Sequence, residues 1–257
     1  MFDLSQKVAI VTGSSRGIGK AIAEALARAG AKVVVSSRKA DGCEPVAEAL
    51  RKEGREAVAI PCHIGRREEC QALIEKTRAY WGRVDSLICN AAVNPYFGPL
   101  TGLTDDAFDK VMQTNVRSNL WLANLVQPEM AARRDGTIII VSSIGGLKGT
   151  DSLGIYAISK AADMQLARNL AVEWGPHNIR VNCIAPGLVR TDFARALWEN
   201  PKLLEATQRR TPLRRIGEPD DIAGAAVFLA SRAGAWMTGQ TIVIDGGVTI
   251  VWPCRRP

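Results

Sequence analysis

The sequence predicts one doubly wound α/β domain on a seven-stranded parallel sheet, and three observations support this. Short β-branched runs alternate with amphipathic stretches along all 257 residues. The runs are almost wholly apolar, so each strand needs cover on both faces, which right-handed strand–helix–strand crossovers supply. No Pro/Gly-rich linker, low-complexity tract or internal repeat divides the chain, so residues 1–257 are expected to form a single domain. A chain of this length buries about three quarters of its unfolded surface and needs neither disulfide nor metal to hold a core.

The elements follow in order. Strands are expected over 8–11, 32–36, 57–61, 86–89, 137–142, 180–184 and 241–244, where Val, Ile and Ala cluster. Helices are expected over 21–29, 46–52 and 68–80, where apolar residues recur at helical spacing, and in a long stretch that carries Tyr156 and reaches Trp174. Another helical stretch covers 105–130. The Gly/Pro-rich spots at 98–102, 145–154 and 186–187 follow strands, where ligand-binding loops of such sheets lie.

Composition narrows the function. With 33 Lys plus Arg against 26 Asp plus Glu the formal charge is +7, but the basic residues are dispersed, with short clusters at 133–134 and 209–215. A dense basic stripe with interleaved aromatics is lacking, so no nucleic-acid partner is expected, and a phosphorylated small molecule fits the charge better. No apolar run approaches the ~18 residues of a membrane span, and no basic leader precedes the first strand, so neither membrane nor secretion is expected. Cys43, Cys62, Cys70, Cys89, Cys183 and Cys254 show no paired short spacing, and there are only two histidines, so no metal site is expected. Scattered thiols and the absence of glycosylation sequons point to the cytoplasm.

The first strand runs directly into Thr12-Gly-Ser-Ser-Arg-Gly-Ile-Gly19 and then into a helix. Glycines there let the backbone approach a pyrophosphate, and the helix N-terminus offers unpaired N–H groups and the positive end of a dipole. About 20 residues on, a site for NAD would place a carboxylate on the ribose hydroxyl. Here the second strand ends Ser37-Arg38-Lys39 and the nearest acid is Asp41. Arg38 suits a 2′-phosphate bidentately and Arg16 adds a second cation, so the expected cofactor is NADP.

Tyr156 and Lys160 are four residues apart and share one helix face. A free phenol has a pKa of about 10 and is almost entirely protonated at neutral pH, whereas a neighbouring ammonium favours the phenolate. Such a pair suits reversible proton transfer to an alkoxide. No G-x-S-x-G elbow is present, and His177 has no evident partner, so a serine hydrolase is disfavoured. Ser142 and Ser143 would face opposite ways in a strand, so only one of them can meet the tyrosine.

Taken together, Thr12–Gly19, Asn90-Ala-Ala92, Asn115, Ser143, Tyr156, Lys160 and Pro186-Gly-Leu-Val-Arg-Thr191 stand in the order and spacing of the short-chain dehydrogenase/reductase family, which the chain resembles from about residue 5 to 250. The resemblance implies a Rossmann fold with strand order 3-2-1-4-5-6-7 and a tetrad of Asn115, Ser143, Tyr156 and Lys160. It makes Tyr156 the general acid/base and puts Ser143 on the substrate oxygen. Lys160 would hold the nicotinamide ribose and favour the phenolate, and Asn115 would anchor a water relay to Lys160. It also implies nucleotide contacts from Gly13, Ser15, Arg16, Gly17, Ile18, Gly19, Ser37, Arg38, Lys39, His63, Ile64, Asn90, Ala91, Ala92, Tyr156, Lys160, Pro186, Gly187, Val189 and Thr191.

Within the family, Cys62-His-Ile-Gly65, the segment Asn90 to Gly98 and Trp198 resemble the animal NADP-dependent carbonyl and retinal reductases. Most members carry Asp where His63 stands; His63 either uses a ring nitrogen, stacks on the adenine, or leaves the contact to the backbone of Ile64. Tyr96, Phe97 and Trp198 serve either packing or substrate contact. A substrate loop over about 191–215 carries Phe193, Leu197 and Trp198, an apolar wall. The expected activity is reversible hydride transfer between NADP(H) and a ketone, aldehyde or alcohol. Two alternatives stay open: a 3-oxoacyl thioester reductase docked through Arg133, Arg134 and the 209–215 cluster, and a catalytically silent cofactor sensor. Sugar-nucleotide epimerases share the Tyr–Lys pair but are longer. The resemblance further implies a homotetramer built by the helices over 105–130 and 156–174 and by the C-terminal strand region, with the apolar tail Val248 to Trp252 near a neighbour's cleft.

Overall fold

β1 (Val8–Thr12) lies in the interior of the sheet and is buried along its whole length. The computed structural model describes residues 1–251. Around β1 are arranged β2 (Lys32–Ser36), β3 (Ala57–Ala59), β4 (Ser86–Cys89), β5 (Gly136–Val141), β6 (Ile179–Pro186) and β7 (Thr241–Ile244). All neighbours pair in parallel in the order β3-β2-β1-β4-β5-β6-β7, so the chain folds as the single doubly wound Rossmann sheet the sequence predicts. The order reverses between β1 and β4, and the crevice beyond their carboxyl ends is where such sheets bind ligands.

Alternation along each strand sends side chains to two cores. Ile10, Leu87, Ile138 and Ile140 pack on one face, against α3 (Arg67–Trp81), α5 (Ser118–Arg133) and α6 (Gly154–Trp174). Ala9, Val11, Ile88, Ile139 and Val141 pack on the other, against α1 (Gly17–Arg28), α2 (Ala40–Lys52) and α9 (Pro219–Ala230). At the amino ends of the strands, buried Asp85 accepts a hydrogen bond from Val8 N at 2.9 Å and pairs with Arg83, so the charged network there lies opposite the ligand end.

Several boundaries differ from the sequence expectation. The predicted strand 137–142 ends at Val141: Ser142 still donates its N–H to Ile184, but its hydroxyl turns to the carbonyl of Lys160 at 2.7 Å. The predicted strand 57–61 is shorter, and 180–184 extends to Pro186, where a proline at a strand end sacrifices no interior ladder bond. The helical stretch expected over 105–130 is interrupted. α4 (Asp105–Met112) passes into a π turn over Gln113–Arg117 before α5 begins. There Ser118 Oγ donates to the Thr114 carbonyl at 2.6 Å and Asn119 Nδ2 to that of Asn115 at 2.6 Å, so side chains satisfy carbonyls that a regular helix would pair. Such π turns recur at functional sites, and this one carries Asn115.

Two short helices, α7 (Arg195–Trp198) and α8 (Pro201–Arg210), fill the expected substrate loop. Among the described residues no helix is long and apolar enough to cross a membrane. Of the expected apolar tail, Val248 to Ile250 form turns and Val251 follows them exposed, whereas Trp252 lies outside the described residues.

Candidate active site

The glycine loop closes the carboxyl end of β1. Gly13 and Gly17 adopt φ of +66° and +58°, a left-handed region that favours glycine. Thr12 ties the loop to β4, its hydroxyl accepting from Asn90 N and Ala91 N at 3.0 and 3.1 Å. The Asn90 amide donates back to the carbonyls of Thr12 and Gly13, so its side-chain donors are committed to the loop itself. A Cβ on Gly19 would run into the Gly13 carbonyl and the Asn90 amide. Gly19→Ala is therefore expected to cost about 1–3 kcal/mol of stability, measured as a lower urea midpoint.

No side chain caps α1: Arg16 at its N-cap is extended and makes no capping bond, and no acid stands in the first turn. The leading N–H groups of Gly17, Ile18 and Gly19 are thus available to an anion, which fits a cofactor pyrophosphate. Thr191 leans over this loop, its Cγ2 3.2 Å from where a Cβ of Gly17 would stand.

At the adenosine end, Ser15 and Ser37 hydroxyls are 3.1 Å apart, and Arg38 and Lys39 are exposed beyond β2. Arg16 reaches across the cleft to Asp192 at 3.1 Å, an exposed pair that contributes little and opens readily. His63 is half-buried; its Nδ1 accepts from Gly65 N at 3.2 Å and its backbone N–H donates to Glu69 at 2.7 Å. One ring nitrogen therefore serves the local turn, as an aspartate oxygen would, and Nε2 is the ring atom left for other partners. Ile64 is buried beside it.

The chemical end is built on α6. Lys160 Nζ is 5.7 Å from the centre of the Tyr156 ring, and the Phe193 ring is 5.9 Å from it on the cleft side. Ser143 accepts from Gly145 N at 3.0 Å, which fixes its side chain while its own O–H is free to donate. Asn115, fully buried, receives Val93 N on Oδ1 and donates to Val93 O and to Ser159 Oγ. Ser159 in turn donates to the carbonyl of Tyr156 at 2.7 Å, a bracing role rather than a nucleophile's. No direct bond joins Asn115 to Lys160 among the described contacts; the two meet through neighbours.

Sequence reasoning missed those neighbours. Lys160 Nζ donates to the carbonyl of Val141 at 2.9 Å and to Asp163 Oδ2 at 3.0 Å, both side chains being almost fully buried. Asp163 Oδ1 accepts from Asn119 Nδ2 at 3.0 Å, and that amide also donates to the carbonyl of Asn115. Burial pushes the lysine pKa down, but the charge and hydrogen bond of Asp163, together with Tyr156 and Cys183, outweigh it and hold it above its ordinary value. Burial pushes the Asp163 carboxyl up against the pull of Lys160 and Asn119. The available signal was an acid three residues after Lys160 on an otherwise apolar helix face.

The substrate side is braced by aromatics. Trp198 Nε1 donates to the carbonyl of Thr191 at 2.8 Å with the Arg190 guanidinium 5.2 Å over its ring, and Tyr96 Oη donates to the Pro99 carbonyl at 2.7 Å. Both are loop supports, whereas Phe97 and Phe193 are exposed. Gly187 passes so close to Asp245 that a Cβ would stand 2.8 Å from its Cα, which keeps the Pro186–Thr191 turn against β7; Val189 is buried beneath it.

Comparisons with known proteins identify what the whole chain resembles. A family model described as enoyl-(acyl carrier protein) reductase matches residues 13–249. The bovine protein named dehydrogenase/reductase SDR family member 4 is 44% identical over 244 residues, covering 95% of this chain and 88% of its own. Among solved structures, a gluconate 5-dehydrogenase from Burkholderia cenocepacia J2315, in complex with NADP and tartrate, superposes with a TM-score of 0.93 at 32% identity over 98% of each chain. A 7α-hydroxysteroid dehydrogenase complexed with NADH and 7-oxo glycochenodeoxycholic acid gives 0.92 at 38% identity, covering 96% of this chain and 95% of that one. The chain belongs to the short-chain dehydrogenase/reductase family.

Proposed function

We propose that the protein is an NADP(H)-dependent carbonyl reductase acting reversibly on ketones or aldehydes and the corresponding alcohols. The observation that carries this reading is the Tyr156–Lys160 pair at the carboxyl edge of the sheet, with the buried ammonium 5.7 Å from the phenol ring. The cofactor, when bound, supplies or accepts the hydride. Tyr156 Oη gives a proton to the developing alkoxide in reduction and takes it back in oxidation. Ser143 donates to the substrate oxygen and fixes its place beside the phenol. Lys160 binds the ribose hydroxyls and favours the phenolate, and Asn115 holds the backbone of the 93 loop against α6.

NADP, rather than NAD, is supported by Arg38 beyond β2 and by the lack of an acid before Asp41. The relatives just described include both an NADP and an NADH complex, so the residues at the adenosine end decide. The substrate loop over 191–215 puts Phe193 against Tyr156, which favours an apolar substituent on the carbonyl. The thioester reading is the alternative, since the exposed pairs of Arg209 with Glu205 and Arg215 with Asp221 open as readily as that of Arg16. Five described cysteines are all free thiols, which supports a reducing compartment such as the cytoplasm. NADPH oxidation with a panel of ketones, aldehydes and acetoacetyl thioesters tests the activity: preference for the simple carbonyls is expected, and no NADPH consumption with any of them would refute it.

Assembly as a homotetramer is supported by the edge strand β7, which is half-exposed, and by Trp236 and Val172, which stand in solvent at 102% and 81% relative exposure. Light scattering at micromolar concentration is expected to give a mass near four chains; a monomer of full activity would refute it.

A further inference from the structure

Lys160 has two jobs in the mechanism proposed above, yet its only charged contact among the described residues is with a group outside that mechanism. The ammonium is held between the Val141 carbonyl and Asp163, and Asp163 is held by Asn119, whose amide is in turn pinned to the carbonyl of Asn115 in the π turn. The chain Lys160–Asp163–Asn119–Asn115 thus joins two members of the tetrad, Lys160 and Asn115, that do not touch each other. Resting on the carbonyl-reductase reading, we propose that Asp163, oriented by Asn119, is a positioning residue that fixes the Lys160 ammonium and offsets its charge toward Tyr156.

The hydrogen bonds identify the ionised form of Asp163. Each carboxylate oxygen receives one donor, Lys160 on Oδ2 and Asn119 on Oδ1. Asn119 cannot be turned to receive a proton instead, because the same Nδ2 must face the Asn115 carbonyl at 2.6 Å. The other titratable groups facing the pair do not supply the charge. Cys183 of β6 is pushed up to about 12 by burial, and Cys89 of β4 is raised by burial as well, so both remain neutral thiols. Arg168, further along α6, is engaged with Gln165 on the exposed face. What remains around Lys160 is one anion, Asp163, and one phenol, Tyr156.

With the ammonium charged, the fixed anion beside it offsets part of its pull on the phenol, so the phenol proton is harder to remove. Reduction needs the phenol protonated, so Asp163 extends reductive turnover to higher pH. Oxidation needs the phenolate, so the same anion delays its onset. The sequence position therefore tunes direction as well as rate.

The test is Asp163→Asn, with Asp163→Leu as a second neutral variant and Asp163→Glu as the charge-conserving one. In Asp163→Asn the alkaline limb of ketone reduction and the acid limb of alcohol oxidation are expected to move together to lower pH, by about one unit or more. Asp163→Glu is expected to restore most of that shift. A structural role alone would lower kcat or the melting midpoint without displacing both limbs in one direction. Ultraviolet difference titration against Tyr156→Phe reads phenolate formation without any turnover, and Asp163→Asn is expected to bring it to lower pH. Loss of all carbonyl activity in the wild type would strike the parent reading and leave this titration to decide. Unmoved limbs and an unmoved titration in folded Asp163→Asn would overturn the proposal. Failure of both neutral variants to fold would assign Asp163 to the core and overturn it too.

Discussion

Tyr156→Phe is expected to lower turnover at least about a hundredfold while NADPH affinity stays near that of the wild type, because it removes one hydroxyl and little else. The phenol ring stacks at a tilt on Phe193 and sits below Lys160, contacts a phenylalanine ring retains. The loss should therefore fall on kcat and kcat/KM alike, the pattern of an interaction made in the transition state. Lys160→Ala makes the contrast. It removes the partner of a buried carboxylate, and breaking such a pair costs about 3–5 kcal/mol. That variant is expected to lose turnover, NADPH affinity and melting midpoint together. Stopped-flow turnover, fluorescence titration of NADPH and a thermal melt separate the two patterns. Near-normal turnover of Tyr156→Phe on every reduced substrate would show that the proton comes from elsewhere.

The two variants also show what the sequence discloses and what it hides. The sheet was legible because parallel strands must be apolar on both faces, and β1, β2 and β5 are rich in Val and Ile. The phosphate loop was legible because Gly13 and Gly17 need positive φ and Gly19 needs an absent Cβ, requirements that only glycine meets together. Tyr156 and Lys160 share a face by helical spacing alone. The π turn was not legible. It is held by Asn115, Ser118 and Asn119 bonding to carbonyls and to the 93 loop, and such polar residues at helical spacing read equally well as a continuous helix. Asp163 was passed over for a related reason. A lone acid on a helix reads as solvated, and only tertiary packing shows that it is fully buried against Lys160. Strand ends were uncertain by one or two residues because Ser142 keeps its ladder N–H while its hydroxyl leaves for α6. The roles of Trp198 and Tyr96 needed the structure too, since an aromatic ring in a loop says nothing about where its polar tip points; here both tips brace backbone carbonyls.

Arg38→Asp is expected to invert cofactor preference from NADPH to NADH. Arg38 lies exposed two residues after β2 and is followed by Lys39 at the N-cap of α2, so the approach to the adenosine ribose is positive. A guanidinium binds a phosphate through two parallel hydrogen bonds, and one such charged contact is worth roughly 10–150-fold in affinity. Substituting Asp removes that contact, sets a carboxylate against the dianionic 2′-phosphate, and supplies the acceptor that a free ribose 2′-hydroxyl needs. The effects on the two cofactors therefore have opposite signs: NADPH weakens and NADH tightens. Arg16 modulates the outcome. Its side chain is paired with Asp192 across the cleft, a surface interaction worth at most about 1 kcal/mol, so it can swing to the phosphate but cannot replace the loss of Arg38. Dissociation constants for both cofactors, measured by fluorescence on wild type, Arg38→Asp and Arg16→Ala, decide the matter. Wild-type constants that are equal, or tighter for NADH, would move the specificity of this protein away from Arg38 altogether.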